Sequence, residues 1–168
     1  MAKNIEAFAK IVDDAAHHAN GIHQLSHQTD IGGDKLDMDD AYAIQRAFVG
    51  AKLAKGRRVI GWKIGLTSRA MQQQLNITTP DSGVLLDDMA FNSGTTIPAD
   101  RFIAPRIEAE IAFVMKAPLA GEVTRDQVLA GTDYVIPALE ILDTRIVRAE
   151  GGKTRTIIDT ISDNAANA

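Results

Sequence analysis

Glu108 and Glu110 occupy alternate positions in the run from Arg106 to Met115, whose other alternate set, Ile107, Ala109, Ile111, Phe113 and Met115, is apolar throughout. That period of two predicts a strand, in which residues i and i+2 project from one face about 6.5–7 Å apart, close enough for two carboxylates to meet one cation. A helix would splay them by about 200°. A third acid, Glu140, lies in a second strand-like run from Tyr134 to Leu142 and shares a face with Ile136, Ala138 and Leu142. Three carboxylates on faces that read as buried repel one another and lose hydration unless a divalent ion compensates them. Oxygen-only ligation suits Mg2+ or Mn2+, leaving positions for water and substrate. The competing interpretation is a solvated acidic face with Glu140 paired to Arg145 or Arg106, and the spacing alone leaves both open.

Lys63 sits among small neighbours near the end of another alternating run. It is either a solvated surface amine or a cation that polarises a carbonyl or shuttles a proton. Asp81, in Pro80-Asp-Ser-Gly83, is either a turn former or a general base at the edge of a pocket. His23 and His27 are spaced for one helix face, but Gln24 replaces the glutamate of a zinc-protease motif and no third ligand is evident. Gly56 and Gly61 have phosphate-loop spacing, yet Trp62-Lys-Ile64 follows where a phosphate loop needs Lys-Ser/Thr. Ser162 has no nucleophile-elbow context, so a serine hydrolase finds no support.

The elements that must position these side chains are legible in outline. Ile5, Phe8, Ile11 and Val12 give Lys3 to Gln28 a mostly helical pattern, which Asn20-Gly21 can interrupt. Asp37-Met-Asp-Asp40 caps a second helix with the stripe Ala41, Ile44, Phe48 and Ala51, running to Lys55, with Gly56 at its left-handed end. A strand follows from Arg58 to Ile64, with Val59, Gly61 and Lys63 on one face and Ile60, Trp62 and Ile64 on the other. Thr67 or Ser68 caps a short helix through Leu75, Thr79 to Gly83 reads as a turn, and Val84 to Leu86 as a brief strand. Thr124-Arg-Asp-Gln127 is a capping box for a helix to Ala130, and Pro137 marks the last strand as an edge or a bulge. The ending from Asp159 to Ala168 reads as strand or loop, and a C-terminally truncated chain is expected.

The chain has 168 residues, 45% of them hydrophobic, which suffices for one sizeable core. With 18 basic against 22 acidic side chains and a formal net charge of −4, it offers no broad basic surface, and nucleic acid is not expected as a partner. No stretch approaches 18 apolar residues, so no membrane span is expected and the cytoplasm is the natural location. The absence of cysteine removes thiolate nucleophiles and cysteine-ligated zinc from consideration.

Five runs are familiar together and in order: Gly61-Trp-Lys-Ile-Gly-Leu-Thr-Ser68, Pro80-Asp-Ser-Gly-Val-Leu-Leu-Asp-Asp-Met89, Pro105-Arg-Ile-Glu-Ala-Glu-Ile-Ala-Phe113, Thr132-Asp-Tyr-Val-Ile-Pro-Ala-Leu-Glu140 and Asp159-Thr-Ile-Ser-Asp-Asn-Ala-Ala-Asn167. The chain from Asp39 onward resembles the hydratase and decarboxylase branch of the fumarylacetoacetate hydrolase superfamily. The resemblance implies an α+β fold: an N-terminal helical portion, residues 1–57, and the first part of a mixed β-roll catalytic domain, residues 58–168. It implies a Mg2+ or Mn2+ site at Glu108, Glu110 and Glu140, with Lys63 and Asp81 as catalytic pocket residues and Ser162 facing substrate. Ser82 departs from the pattern, standing where an aromatic is expected. The implied activity is addition of water to a small-molecule 2-oxo acid, 2-oxohept-3-ene-1,7-dioate, giving 4-hydroxy-2-oxoheptanedioate, in a homo-oligomer. The alternatives are hydration of 2-hydroxypentadienoate, decarboxylation of 4-oxalocrotonate at the same metal site, or a non-catalytic subunit or fragment.

Overall fold

A computed structural model of the protein describes residues 2–74 and 77–168. The chain forms two compact units, one of Met1–Pro105 with Asp143–Ala168, the other of Arg106–Leu142.

The larger unit opens with α1 (Ile5–His18), capped by the Asn4 side chain accepting from the Ala7 N–H at 3.1 Å. It stops ten residues short of the expected Gln28, because Ala19 turns left-handed (φ 45°) ahead of Asn20-Gly21. The chain then runs through three single turns of 3-10 helix to α2 (Met38–Ala54), where Asp37 and Asp40 form a reciprocal capping box. Gly56 takes the left-handed conformation (φ 88°) expected at the end of α2. Phe8 and Val12 of α1 meet Ile44, Phe48 and Val49 of α2 in a core completed by Leu25, Leu86 and Ile146. Each large apolar side chain buried there contributes roughly 1.5–3 kcal/mol.

From this core rises a hairpin of β1 (Val59–Gly65) and β2 (Asp81–Leu86), linked by a segment that includes α3 (Arg69–Gln74). The expected helix end at Leu75 lies outside the described residues. β2 begins at Asp81, earlier than the sequence pattern suggests, because Asp81, Ser82 and Gly83 pair with Gly65, Ile64 and Lys63. Alternation in β1 leaves Ile60, Trp62 and Ile64 outward at 53%, 68% and 66% exposure, while Lys63 is half-buried.

The smaller unit is an antiparallel pair, β3 (Arg106–Met115) and β4 (Thr132–Leu142), with α4 (Arg125–Gly131) between them in sequence. α4 starts at the expected capping box of Thr124 and Gln127. Among the described residues β4 pairs only with β3, so it is an edge strand, where Pro137 opposite Ile111 is tolerated; the irregularity of register falls elsewhere, between Val114 and Met115.

The larger unit then resumes with a two-residue hairpin, β5 (Ala149–Glu150) and β6 (Lys153–Thr154), and α5 (Ile157–Ser162). Here the expectation of strand or loop fails: Thr156 and Asp159 form a capping box, and the apolar residues of α5 pack toward α2. The signal began three residues before Asp159, in Thr156-Ile-Ile-Asp159. Helices and small sheets together make the fold α+β.

Candidate functional site

The smaller unit carries the acidic cluster. In the register of the hairpin Glu108 stands directly opposite Glu140, and Glu110 opposite Ala138, so all three acids share one face. One carboxylate oxygen from each lies within 4.8 Å of the others. Along that face Ala112 pairs with Ile136 and Val114 with Tyr134 on one side of the acids, and Arg106 with Leu142 on the other. Glu108 and Glu110 are exposed and Glu140 half-buried, which differs from the buried setting read in the sequence. Two strands and one short helix are too few to cover both faces, and the opposite face is open as well, with Ile107 and Ile111 each 67% exposed. Directly opposed like charges destabilise a strand pair, so in the hairpin itself Glu108 and Glu140 are a liability. The donor set is wholly hard oxygen, without imidazole or thiolate, and its convergence fits an octahedral divalent ion with metal–oxygen distances of about 2.0–2.6 Å.

The larger unit holds Lys63, Asp81 and Ser162. Asp81 is 4% exposed, and its Oδ1 is buried with no hydrogen-bond partner among the described residues. Gly65 is its cross-strand neighbour, and a Cβ there would collide with that oxygen and lie 3.2 Å from Lys63 Nζ. Lys63 and Asp81 therefore reach into the same space, which only glycine leaves open. Ser162, at the end of α5, is fully buried, and its Oγ likewise has no partner among the described residues.

Around them lies a nest of buried polar groups. Asn164, Ala165 and Ala166 follow one another at φ 52°, 53° and 61°, a left-handed run that side-chain-bearing residues adopt only under strong constraint. The constraint is visible. The Asn164 side chain accepts from the Val84 N–H at 2.8 Å and donates to the Val84 carbonyl at 2.9 Å, as a neighbouring strand would. Asn167 Nδ2 donates to the same carbonyl at 3.1 Å, and Gln45 Nε2 bridges the carbonyls of Ser82 (2.8 Å) and Ile161 (3.1 Å). Gly83 lies so close under Asn164 and Asn167 that a Cβ would strike both. Arg145 completes the nest: its Nε donates to Asp163 Oδ1, NH1 to the Asn167 carbonyl at 2.6 Å and NH2 to the Asp163 carbonyl at 2.7 Å. Burial pushes the Asp163 carboxyl up from its usual range, against the pull of the Arg145 guanidinium.

The sequence points to Lys63, Asp81 and Ser162 and not to Asn164 or Asn167; it offers Arg145 only as a partner for Glu140, whereas the structure gives it to Asp163. The cue was present in the density of Asn and Asp from Asp159 to Asn167, residue types that tolerate left-handed backbone and mimic peptide groups.

No protein-family model matches the chain. It is 54% identical over 137 residues to 2-oxo-hept-4-ene-1,7-dioate hydratase of Escherichia coli, covering 80% of this chain and 51% of that protein. It is 45% identical over 133 residues to 2-keto-4-pentenoate hydratase of Paraburkholderia xenovorans strain LB400, covering 79% of this chain and 48% of that one. Among solved structures, 4-oxalocrotonate decarboxylase from Pseudomonas putida G7, complexed with magnesium and adipate, matches with a TM-score of 0.86 at 33% identity, over 97% of this chain and 59% of that chain. The same decarboxylase has been solved with calcium and acetate. The chain thus spans about half the length of the curated relatives it matches.

Proposed function

We propose that this chain, which is similar to 2-oxoalkenoate hydratases and to 4-oxalocrotonate decarboxylase, belongs to the hydratase and decarboxylase branch of the fumarylacetoacetate hydrolase superfamily and carries the metal-ligating and substrate-facing residues of a hydratase. The reaction is addition of water to a 2-oxoalkenoate diacid, 2-oxohept-3-ene-1,7-dioate, to give 4-hydroxy-2-oxoheptanedioate. The observation that carries this reading is the register that sets Glu108 against Glu140 with Glu110 beside them.

Glu108, Glu110 and Glu140 would hold Mg2+ or Mn2+, which when bound withdraws charge from the substrate's 2-oxo oxygen and makes C4 of the conjugated enone electrophilic. Asp81, with one buried carboxylate oxygen unengaged, orients the attacking water and takes its proton. Lys63 places positive charge beside the developing enolate and returns a proton to carbon, the two roles being exchangeable. Ser162 offers its buried Oγ–H to a substrate oxygen. The helical portion 1–57 and the β-roll portion 58–168 are the proposed divisions of a cytoplasmic homo-oligomer. None of its helices, among the described residues, is long and apolar enough to cross a membrane.

In the purified protein, Glu108→Gln is expected to abolish the Mg2+-dependent loss of enone absorbance, and undiminished activity sinks the assignment. Product analysis separates the neighbouring chemistry: a hydratase yields the hydroxy acid, a decarboxylase releases CO2.

A further inference from the structure

His23 and His27 gain in the structure the third donor that their sequence neighbourhood lacks. Glu150 lies 127 residues beyond His23 and reaches both rings: its Oε1 contacts His23 Nδ1, and its Oε2 lies 3.2 Å from His27 Nδ1. One donor atom from each of the three residues lies within 4.8 Å of the others. The group belongs entirely to the larger unit and contains none of the residues assigned to hydration.

The backbone on both sides is fixed independently of these side chains. Ile22 forms a parallel bridge with Ile146, its N–H donating to the Arg145 carbonyl at 2.7 Å and its carbonyl accepting from Val147 at 2.9 Å. The Leu25 N–H donates to the buried Asp159 Oδ1 at 2.9 Å, and Gln24 Nε2 to the Lys153 carbonyl at 3.2 Å. Glu150 is held at the end of β5 by the Gly151-Gly152 turn, whose φ values of 55° and 77° suit glycine. The donor atoms are thus delivered by two clamped segments, and rotation of exposed side chains is enough to open the cluster around an ion.

We propose that His23, His27 and Glu150 form a second metal site, for a borderline transition ion of the Zn2+ class, that fastens the segment around Leu25 to the β5–β6 hairpin. Two neutral imidazoles and one carboxylate are a zinc-type donor set, with water completing a tetrahedron. Mg2+ avoids imidazole and favours the all-oxygen cluster, so the chemistry of the donors distinguishes the two sites. Without the ion the same trio is a histidine–carboxylate hydrogen-bonded cluster, which is the alternative the test must exclude.

The test is a Zn2+ titration of metal-stripped protein in excess Mg2+, read by competition with a chromophoric chelator. Uptake of one tight equivalent is expected, weakened at least about tenfold by His27→Ala or Glu150→Gln and unchanged by His18→Ala or Glu108→Gln. Zn2+ should also raise the unfolding temperature of the parent protein and not that of His27→Ala, a comparison that holds even where a variant is less stable. Equal Zn2+ affinity in the parent and in a His23→Ala/His27→Ala double variant overturns the proposal. So does uptake that Glu108→Gln removes and His27→Ala leaves.

Discussion

The acidic end of the β3–β4 hairpin and the polar nest around α5 solve opposite problems. In the hairpin, like charges face one another on a partly solvated surface. In the nest, groups as polar as Arg145, Asp163, Asn164 and Asn167 are almost wholly buried, and nearly every one is held by the chain's own hydrogen bonds. The nest is therefore organised in advance by the chain's own hydrogen bonds, while the hairpin sets two carboxylates directly opposite one another, an arrangement that a bound cation would relieve. Asp81 Oδ1 and Ser162 Oγ are among the exceptions, with Asn167 Oδ1: buried atoms without a hydrogen-bond partner among the described residues, beside groups that are well supplied. Buried polar atoms left unmet cost about 1–3 kcal/mol each, and such a cost persists where a ligand meets them.

The contrast breaks first at Asp163. Replacing it by Ala leaves Arg145 buried without its carboxylate, and a loss of about 3–5 kcal/mol is expected in denaturant unfolding; a loss below about 1 kcal/mol would show that the nest is not self-supporting. Next comes Asn164→Ala, which removes both hydrogen bonds to Val84 and frees a left-handed run. About 2 kcal/mol is expected, measurable by the same unfolding experiment, together with faster amide exchange in β2.

How far sequence could see these two regions follows from the range of the interactions. β3 runs over the expected Arg106 to Met115, and the boxes at Asp37 and Thr124 start their helices, because alternation and capping are settled within a few residues. Alternation put Glu108 and Glu140 on strands, but their facing one another is a matter of register. The early start of β2, the grip of Asn164 on Val84 and the arrival of Glu150 beside His23 depend on partners 80 or more residues apart or on cross-strand register, which no local period encodes. The exposed apolar face of the hairpin is also invisible to periodicity, which tells one face from another but not whether either is covered.

A smaller effect sharpens the other half of the comparison. With metal removed, Glu108→Gln is expected to leave stability unchanged or raise it by about 0.2–1 kcal/mol, by relieving its opposition to Glu140. A clear loss instead would mean that the acids support the hairpin by themselves. The smallest effect lies outside both regions. Burial tends to raise the Asp13 carboxyl, but ion pairs with Lys52 and Lys55, each at 2.7 Å, prevail and hold it below its ordinary 3.8. A depressed folded value means that its stabilisation is present above the ordinary value and is lost as pH falls through the folded one. Asp13→Asn should therefore cost at most about 1 kcal/mol at neutral pH, a difference from the parent that vanishes in strong acid.

The most direct measurement is Mn2+ binding, followed by the loss of the free-ion paramagnetic resonance signal, in the parent protein and in a Glu108→Gln/Glu110→Gln/Glu140→Gln variant whose fold is checked by circular dichroism. One equivalent bound by the parent and none by the folded variant is the expected result. Equal Mn2+ uptake by both would contradict the assignment of the three glutamates as the metal site.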